Sequence, residues 1–258
     1  MTPEQTLAQW QQWGVESKPR LTQALANGKT NQAFLLTAGK QQFVLRLYSD
    51  SNKALYSQAH ANQQSVNAIG LAPRLLYSHP DNHYSVSEYL PGDTLNENIP
   101  LTNNDVKLLC DAVSRYQKIP VLSCPIDYKA VLTGYRHQLI NCHRWQPDDE
   151  QLFCSILKLC DELKRLHSAP VLSHHDLNAY NIIRLAQHET RFGFIDWEFS
   201  CTSFASFDYA ILLVELNIDS STLANISGIA QHTLDTSASI YRYLCKLYWL
   251  THTNKNRA

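Results

Sequence analysis

One stretch constrains this chain more than any other: His174-His175-Asp176-Leu177-Asn178-Ala179-Tyr180-Asn181-Ile182-Ile183, followed thirteen residues after Ile183 by Asp196 in Gly193-Phe194-Ile195-Asp196-Trp197-Glu198. His174, Asp176 and Asn181 fit the pattern HxDxxxxN. The apolar runs around Asn181 and Asp196 read as two short strands facing each other across a turn. Such a hairpin brings two carboxylates and an amide to one spot.

That trio suits phosphoryl transfer, in which catalysis is mostly positioning of groups and neutralisation of charge. A carboxylate must face the acceptor hydroxyl, and an oxygen-rich pair must hold the magnesium that bridges the nucleotide phosphates. Asp176 fits the first task, with His174 beside it as a further catalytic candidate. Asn181 and Asp196 fit the second. A lone HxD is common by chance, its His making only a buried hydrogen bond; the downstream Asp, on a strand after a turn, outweighs that reading.

The HxDxxxxN loop and the following Ile195-Asp196-Trp197-Glu198 resemble the aminoglycoside phosphotransferase and choline kinase superfamily, and the spelling is most similar to the choline/ethanolamine kinases and the bacterial thiamine kinases. The likeness covers residues 20 to 215 and is specific at the two motifs. It implies an α+β, bilobal, protein-kinase-like fold. Residues 1–90 would form a small nucleotide-binding lobe with a five-stranded antiparallel sheet and a helix, and residues 91–258 a larger, mostly helical lobe for catalysis and the acceptor. It also implies ATP and Mg2+ as cofactors.

The bulk properties agree. A chain of 258 residues is long enough for two lobes with cores of their own. The formal charge, 22 minus 23 or −1, gives no electrostatic reason to expect nucleic acid or an anionic membrane as partner. Seven cysteines form no CxxC pair and lie mostly in apolar stretches, as buried thiols of a reducing compartment do. No apolar run reaches the roughly 20 residues of a spanning helix, and Met1-Thr2-Pro3-Glu4-Gln5 lacks the basic and apolar regions of a signal peptide, so a cytoplasmic protein is expected.

Along the first part, residues 3 to 17 read as a helix with Leu7, Trp10 and Trp13 on one face. Strands follow at residues 20 to 26, 32 to 37, 42 to 48, 74 to 78 and 83 to 89, with a helix from 52 to 69 ending at Gly70. Between the first two strands lies Asn27-Gly28-Lys29-Thr30-Asn31, where the resemblance implies a phosphate-covering loop with Gly28, Thr30 and Asn31 as binding residues. One glycine is a weak signal, equally that of a plain hairpin turn. Arg46 shares a strand face with Val44 and Tyr48 and takes the place of the phosphate-binding lysine of kinases. A guanidinium is permanently charged and grips two phosphate oxygens at once.

No acid occurs between Asp50 and Asp81, so the helix offers no carboxylate to the strand's basic residue, and His60, Gln63 or Gln64 are the candidates to take that place by hydrogen bonding. The bacterial thiamine kinases, which this chain resembles, also have Arg on the strand and no acid on the helix. Glu88-Tyr89-Leu90-Pro91-Gly92 reads as the hinge, Glu88 and Leu90 standing where the adenine edge would be met.

From there the chain turns helical, at 103 to 117, 128 to 142, 148 to 168 and 205 to 216, with two closing helices at 219 to 232 and 236 to 252. Leu152, Phe153, Ile156, Cys160, Leu163 and Leu166 recur at helical spacing and read as core. Asp208, in Phe207-Asp208-Tyr209-Ala210, resembles the family's Asp that supports the catalytic loop.

Two features bear on the acceptor. Only eleven residues separate Asp196 from Asp208, too few for the activation segment on which a protein substrate would lie. Aromatic residues outnumber acidic clusters in the second half, and Trp197, Glu198, Tyr248 and Trp249 are candidates for an aromatic wall with one carboxylate. That suits a small cationic alcohol such as thiamine, choline or ethanolamine. The alternatives are an aminoglycoside or sugar kinase of the same family, or a nucleotide-binding pseudokinase module without turnover. The missing helix acid favours the module; the intact Asp176, Asn181 and Asp196 speak against it.

Overall fold

The computed structural model describes residues 1–25, 31–48, 53–95, 101–121, 123–166, 169–185 and 192–252. Gly28 and Thr30 therefore lie outside the described residues.

The chain opens with α1 (Pro3–Leu7), whose Thr2 and Gln5 form a reciprocal capping box with proline at the first position. The helix expected to reach residue 17 stops here. A 3₁₀ turn, Trp10–Trp13, follows and closes on Gly14 in the left-handed region (φ 68°). Residues three apart eclipse in a 3₁₀ turn, so the tighter winding sends Trp10 and Trp13 to the same side.

Next come β1 (Arg20–Ala24), β2 (Gln32–Ala38), β3 (Gln41–Leu47), α2 (Lys53–Asn67), β4 (Leu75–Ser78), β5 (Tyr84–Glu88) and β6 (Gly92–Thr94). Then follow α3 (Asn103–Gln117), α4 (Tyr128–Asn141), α5 (Asp149–Leu166), β7 (Pro170–Ser173), β8 (Ile182–Leu185), β9 (Phe192–Phe194), β10 (Cys201–Phe204), α6 (Ala205–Glu215), α7 (Ser220–Ser227) and α8 (Gln231–His252). No described helix is long and apolar enough to cross a membrane.

Contacts divide the chain into two compact units, Met1–Asn96 with Tyr180–Ser200, and Glu97–Ala179 with Cys201–Ala258. The division differs from a simple break at residue 90. The hairpin β8–β9 joins the first unit, because β6 pairs with β8 and the Phe194 N–H donates to the Leu71 carbonyl at 2.8 Å.

In the first unit the expected five-stranded antiparallel sheet is present, in the order β1-β2-β3-β5-β4. Alternation along β3 sends Phe43, Leu45 and Leu47 into a core with Trp13, Leu36, Tyr84 and Val86, while Arg46 lies on the other face. Leu7 and Trp10 pack on that core, and the Trp13 indole N–H donates to the Tyr84 hydroxyl at 3.3 Å. The small sheet β6-β8-β9 depends on Gly92, where a Cβ would lie 2.2 Å from the Arg184 carbonyl oxygen.

The second unit holds the remaining helices and the ribbon β10-β7. On α5, Phe153, Ile156, Cys160 and Leu163 are buried as expected, whereas Leu152 and Leu166 are 45% and 46% exposed. Leu152 lies about 100° around the helix from Phe153, off the buried stripe. Near the end of the chain, α7 stops at Gly228 in the left-handed region and α8 starts at Gln231, so the two closing helices divide earlier than expected. The cysteines also depart from expectation: Cys110 and Cys160 are buried, but Cys124, Cys142 and Cys154 are exposed.

Candidate active site

In the first unit, the β8–β9 ladder sets Ile182 opposite Phe194, and the Ile195 N–H donates to the Asn181 carbonyl at 3.0 Å. That bond fixes the backbones of the two expected magnesium residues, Asn181 and Asp196, across one end of the hairpin. Asp196 itself adopts a left-handed backbone (φ 66°), as does His175 in the first motif (φ 68°). Such conformations cost of order 1–3 kcal/mol for a side-chain-bearing residue and gather at functional sites. Both motifs thus carry one.

Arg46, on β3, reaches this turn and forms an ion pair with Asp196. Burial opposes the charge on Arg46, but the Asp196 carboxylate, together with Tyr48 and Glu198, more than offsets it, so the guanidinium is held above its usual range and stays charged. Its partner is therefore neither a helix acid nor one of the helix residues considered from the sequence. His60 instead bonds the Tyr48 hydroxyl through Nε2 and the Ser78 hydroxyl through Nδ1, both at 2.8 Å, and the Gln63 side chain donates to the Pro73 carbonyl at 2.9 Å.

Asn31 is buried and donates through its amide to Glu198, while its own oxygen accepts from the Tyr56 hydroxyl at 3.1 Å. Tyr56 stacks on Tyr48 with ring centres 3.8 Å apart. The sequence reading missed this bridge, which couples the end of the 26–31 segment to the turn after Asp196. No motif spans it; only the burial of a polar Asn could have hinted at it.

Trp197 requires a correction. It is buried, and its indole N–H donates to the Phe194 carbonyl at 3.0 Å. It anchors the 3₁₀ turn Trp197–Phe199 from below and is no open wall for a ligand. Glu198 is likewise committed to Asn31. The same turn is tied to α2, where the Asn62 amide donates to the Ser200 hydroxyl at 3.0 Å. At the expected hinge, the Glu88 carboxylate is exposed and paired with Arg74, while Leu90 lies against Gly193, where a Cβ would stand 2.9 Å from its Cδ1.

In the second unit, the buried Asp208 organises the HxD loop. Its carboxylate accepts from the Ser173 hydroxyl (2.8 Å), the His174 and His175 backbone N–H groups (2.9 and 3.0 Å) and the Tyr116 hydroxyl (2.6 Å). His174 is fully buried, and its Nδ1 accepts from the Asp176 N–H at 3.3 Å, a positioning contact. The Asn178 amide donates to the Asp176 carboxylate at 3.1 Å, a contact that went unread although it lies two residues along the motif. Tyr128 and Phe207 stack directly with ring centres 4.3 Å apart, and His175 lies parallel beside them, 4.8 Å from Phe207 and 5.8 Å from Tyr128; burial pulls its imidazole down to about 4. Tyr248 and Trp249, expected near an acceptor, sit late in α8; Tyr248 meets Tyr135 edge-on at 6.4 Å and Trp249 is 42% exposed.

The sequence pattern of the phosphotransferase enzyme family matches residues 22–236. The chain belongs to that family. Solved structures of the same fold include a choline kinase from Streptococcus pneumoniae, 15% identical over all of this phosphotransferase and 93% of that chain, with a TM-score of 0.79. A Plasmodium vivax ethanolamine kinase is 16% identical, with 95% and 79% coverage and a TM-score of 0.72. A thermostable aminoglycoside phosphotransferase mutant, solved as a ternary complex with AMP-PNP and hygromycin B, is 15% identical over 98% and 93%, with a TM-score of 0.68. No curated protein matches the sequence. The expected fold is therefore that of this chain, and its family is one of phosphotransferase enzymes, as expected.

Proposed function

We propose that this phosphotransferase moves the γ-phosphoryl group of ATP to the hydroxyl of a small cationic alcohol of the thiamine, choline or ethanolamine type. The observation that carries the nucleotide half of this reading is the meeting of Arg46 with Asp196, which sets one fixed cation and one anion side by side. Two parts of a metal–phosphate complex need those signs: phosphate oxygens call for the guanidinium, and a divalent cation calls for the carboxylate. The Asn181 amide oxygen and the Asp196 carboxylate are hard oxygen donors, the type magnesium takes. Magnesium, when bound, neutralises and orients the β- and γ-phosphates.

Asp176 accepts the proton of the acceptor hydroxyl as that oxygen forms its bond to the γ-phosphorus. The bond from the γ-phosphorus to the β–γ bridging oxygen breaks, and ADP leaves with the electron pair. Asn178 holds the Asp176 carboxylate in register, and Asp208 holds the loop that carries it. Asn31 and Arg46 attend the phosphates, and Leu90, packed on β9, lines the base.

Support for a cationic acceptor rests on the Tyr135–Tyr248–Trp249 group of the second unit, since Trp197 is buried and Glu198 is bonded to Asn31. An aromatic face attracts an organic cation by about 0.5–2 kcal/mol. A small acceptor also fits the short segment after Asp196, which apart from Ser200 is taken up by a 3₁₀ turn, β10 and α6.

The test is a competition assay with ATP and magnesium across thiamine, choline, ethanolamine, a neutral sugar and an aminoglycoside, scored by kcat/KM. Preference for one of the three cationic alcohols supports the reading, and preference for the sugar or the aminoglycoside overturns its acceptor half. Tight nucleotide binding without ADP formation for any acceptor would establish the non-catalytic reading instead.

A further inference from the structure

The connection between β4 and β5 reads His79-Pro80-Asp81-Asn82-His83, and no step of phosphoryl transfer uses it. One ligating atom from each of His79, Asp81 and His83 lies within 4.8 Å of the other two. We propose that these three side chains form a second cation site, for a borderline divalent transition metal of the zinc type, which clips the β4–β5 turn.

The turn is already organised for this. The His79 N–H donates to the Tyr84 carbonyl at 3.0 Å and the Asn82 N–H to the His79 carbonyl at 2.8 Å, closing the hairpin and its inner turn. Proline fixes one backbone angle inside that turn. Asn82 takes a left-handed backbone (φ 51°), and its amide donates to the Ser57 hydroxyl of α2 at 3.1 Å. The rings of His79 and His83 stand 5.0 Å apart, and His79 also lies 5.2 Å from the buried ring of Tyr84. Ligand atoms that share an ion at about 2.0–2.2 Å stand roughly 3–3.5 Å apart, so closure needs side-chain rotations of an ångström or so and no change of backbone.

The donor set decides the ion. Two imidazoles and one carboxylate suit zinc, cobalt(II) or nickel, with water completing the sphere. Magnesium prefers oxygen ligands throughout, so the Asn181 and Asp196 oxygens and this turn select different cations. One feature limits the affinity. His79 Nδ1 accepts from the Asp81 N–H at 3.1 Å, so its lone pair is engaged and the ring carries its proton on Nε2. Ligation through Nδ1 displaces that bond, and ligation through Nε2 requires the proton to change nitrogen.

The experiment uses the full untagged chain, because the sequence holds eleven histidines and an affinity tag would add competing ones. Zinc is titrated by calorimetry in excess magnesium, with cobalt(II) absorption as a second probe of imidazole ligation. We expect one equivalent of zinc, weakened at least tenfold in His79→Ala and in His83→Ala and by less in Asp81→Asn. The Tm should rise with zinc in the wild type and stay put in the two histidine variants. The metal-free Tm of His83→Ala and Asp81→Asn should agree with that of the wild type, and that of His79→Ala should fall slightly, since its ring packs on Tyr84 and accepts from the Asp81 N–H. Absence of zinc binding, zinc binding unchanged in both histidine variants, or displacement of zinc by excess magnesium overturns the proposal. Should one variant fold poorly, the other histidine variant and the cobalt spectrum of the wild type still decide it.

Discussion

Asp176 and Arg46 carry separable parts of the reaction, and one substitution reads each. Asp176→Asn keeps the size of the side chain and a hydrogen-bonding oxygen for Asn178, so the loop stays pinned by Asp208, but the amide cannot take the acceptor proton. Turnover should fall by about 10²–10⁴, the contribution of a positioned base, with nucleotide affinity unchanged. Near wild-type kcat would remove Asp176 from the chemistry. Arg46→Ala should raise the KM for ATP about tenfold or more, as expected from a charge-assisted contact of ~1.5–3 kcal/mol. An unaltered KM would confine Arg46 to its pair with Asp196. The spacing of His174, Asp176, Asn181 and Asp196 made these residues legible, because each motif is local and its residue types are dictated by proton transfer and cation binding. Their partners were not legible. Asn31 is 167 residues from Glu198 and Arg46 is 150 from Asp196, and no periodicity connects such positions.

At the scale of elements, the turn Trp197–Phe199 shows how sequence adjacency misleads. Trp197 follows Asp196 directly, which suggests a ligand wall, yet the left-handed backbone at Asp196 redirects the chain, and the indole ends up buried while the Asp196 side chain remains 25% exposed. Trp197→Ala should therefore behave as a core truncation, costing about 3–5 kcal/mol of stability in denaturant unfolding. Near wild-type stability combined with lost discrimination among acceptors would restore the wall. A similar lesson applies to the N-terminus, where Leu7, Trp10 and Trp13 do face one core, but through a short helix and a 3₁₀ turn rather than one long helix. Hydrophobic spacing identifies which side chains go inward; it does not fix the winding that delivers them. The five strands of the first sheet are legible to within a few residues, because alternation along β3 and the turn at Gly39 define a register in which a one-residue slip would expose the whole core face, whereas the short β6, β7 and β10 carry no such pattern.

For the molecule as a whole, acid sensitivity follows from imidazoles buried in each unit. His60 sits between Ser78 and Tyr48, and burial, with the charge of Arg46 added, pulls it down to about 4; His175, packed beside the stacked rings of Tyr128 and Phe207, is pulled by burial to a similar value. An unfolded histidine titrates near 6.5, so between about 6.5 and 4 the unfolded chain binds protons that the folded chain refuses. Stability is then complete above about pH 6.5 and falls as the pH drops toward 4. Each imidazole contributes at most about 3.4 kcal/mol. Urea unfolding of wild type and His60→Gln at neutral pH and near pH 4.5 isolates one contribution from the carboxylates that titrate in the same range. Glutamine keeps hydrogen-bonding groups for Tyr48 and Ser78 but cannot take up the proton, so the variant should be less stable than wild type at neutral pH and lose less on acidification. Equal losses in the two proteins would mean that His60 takes its proton as readily in the folded chain as in the unfolded one.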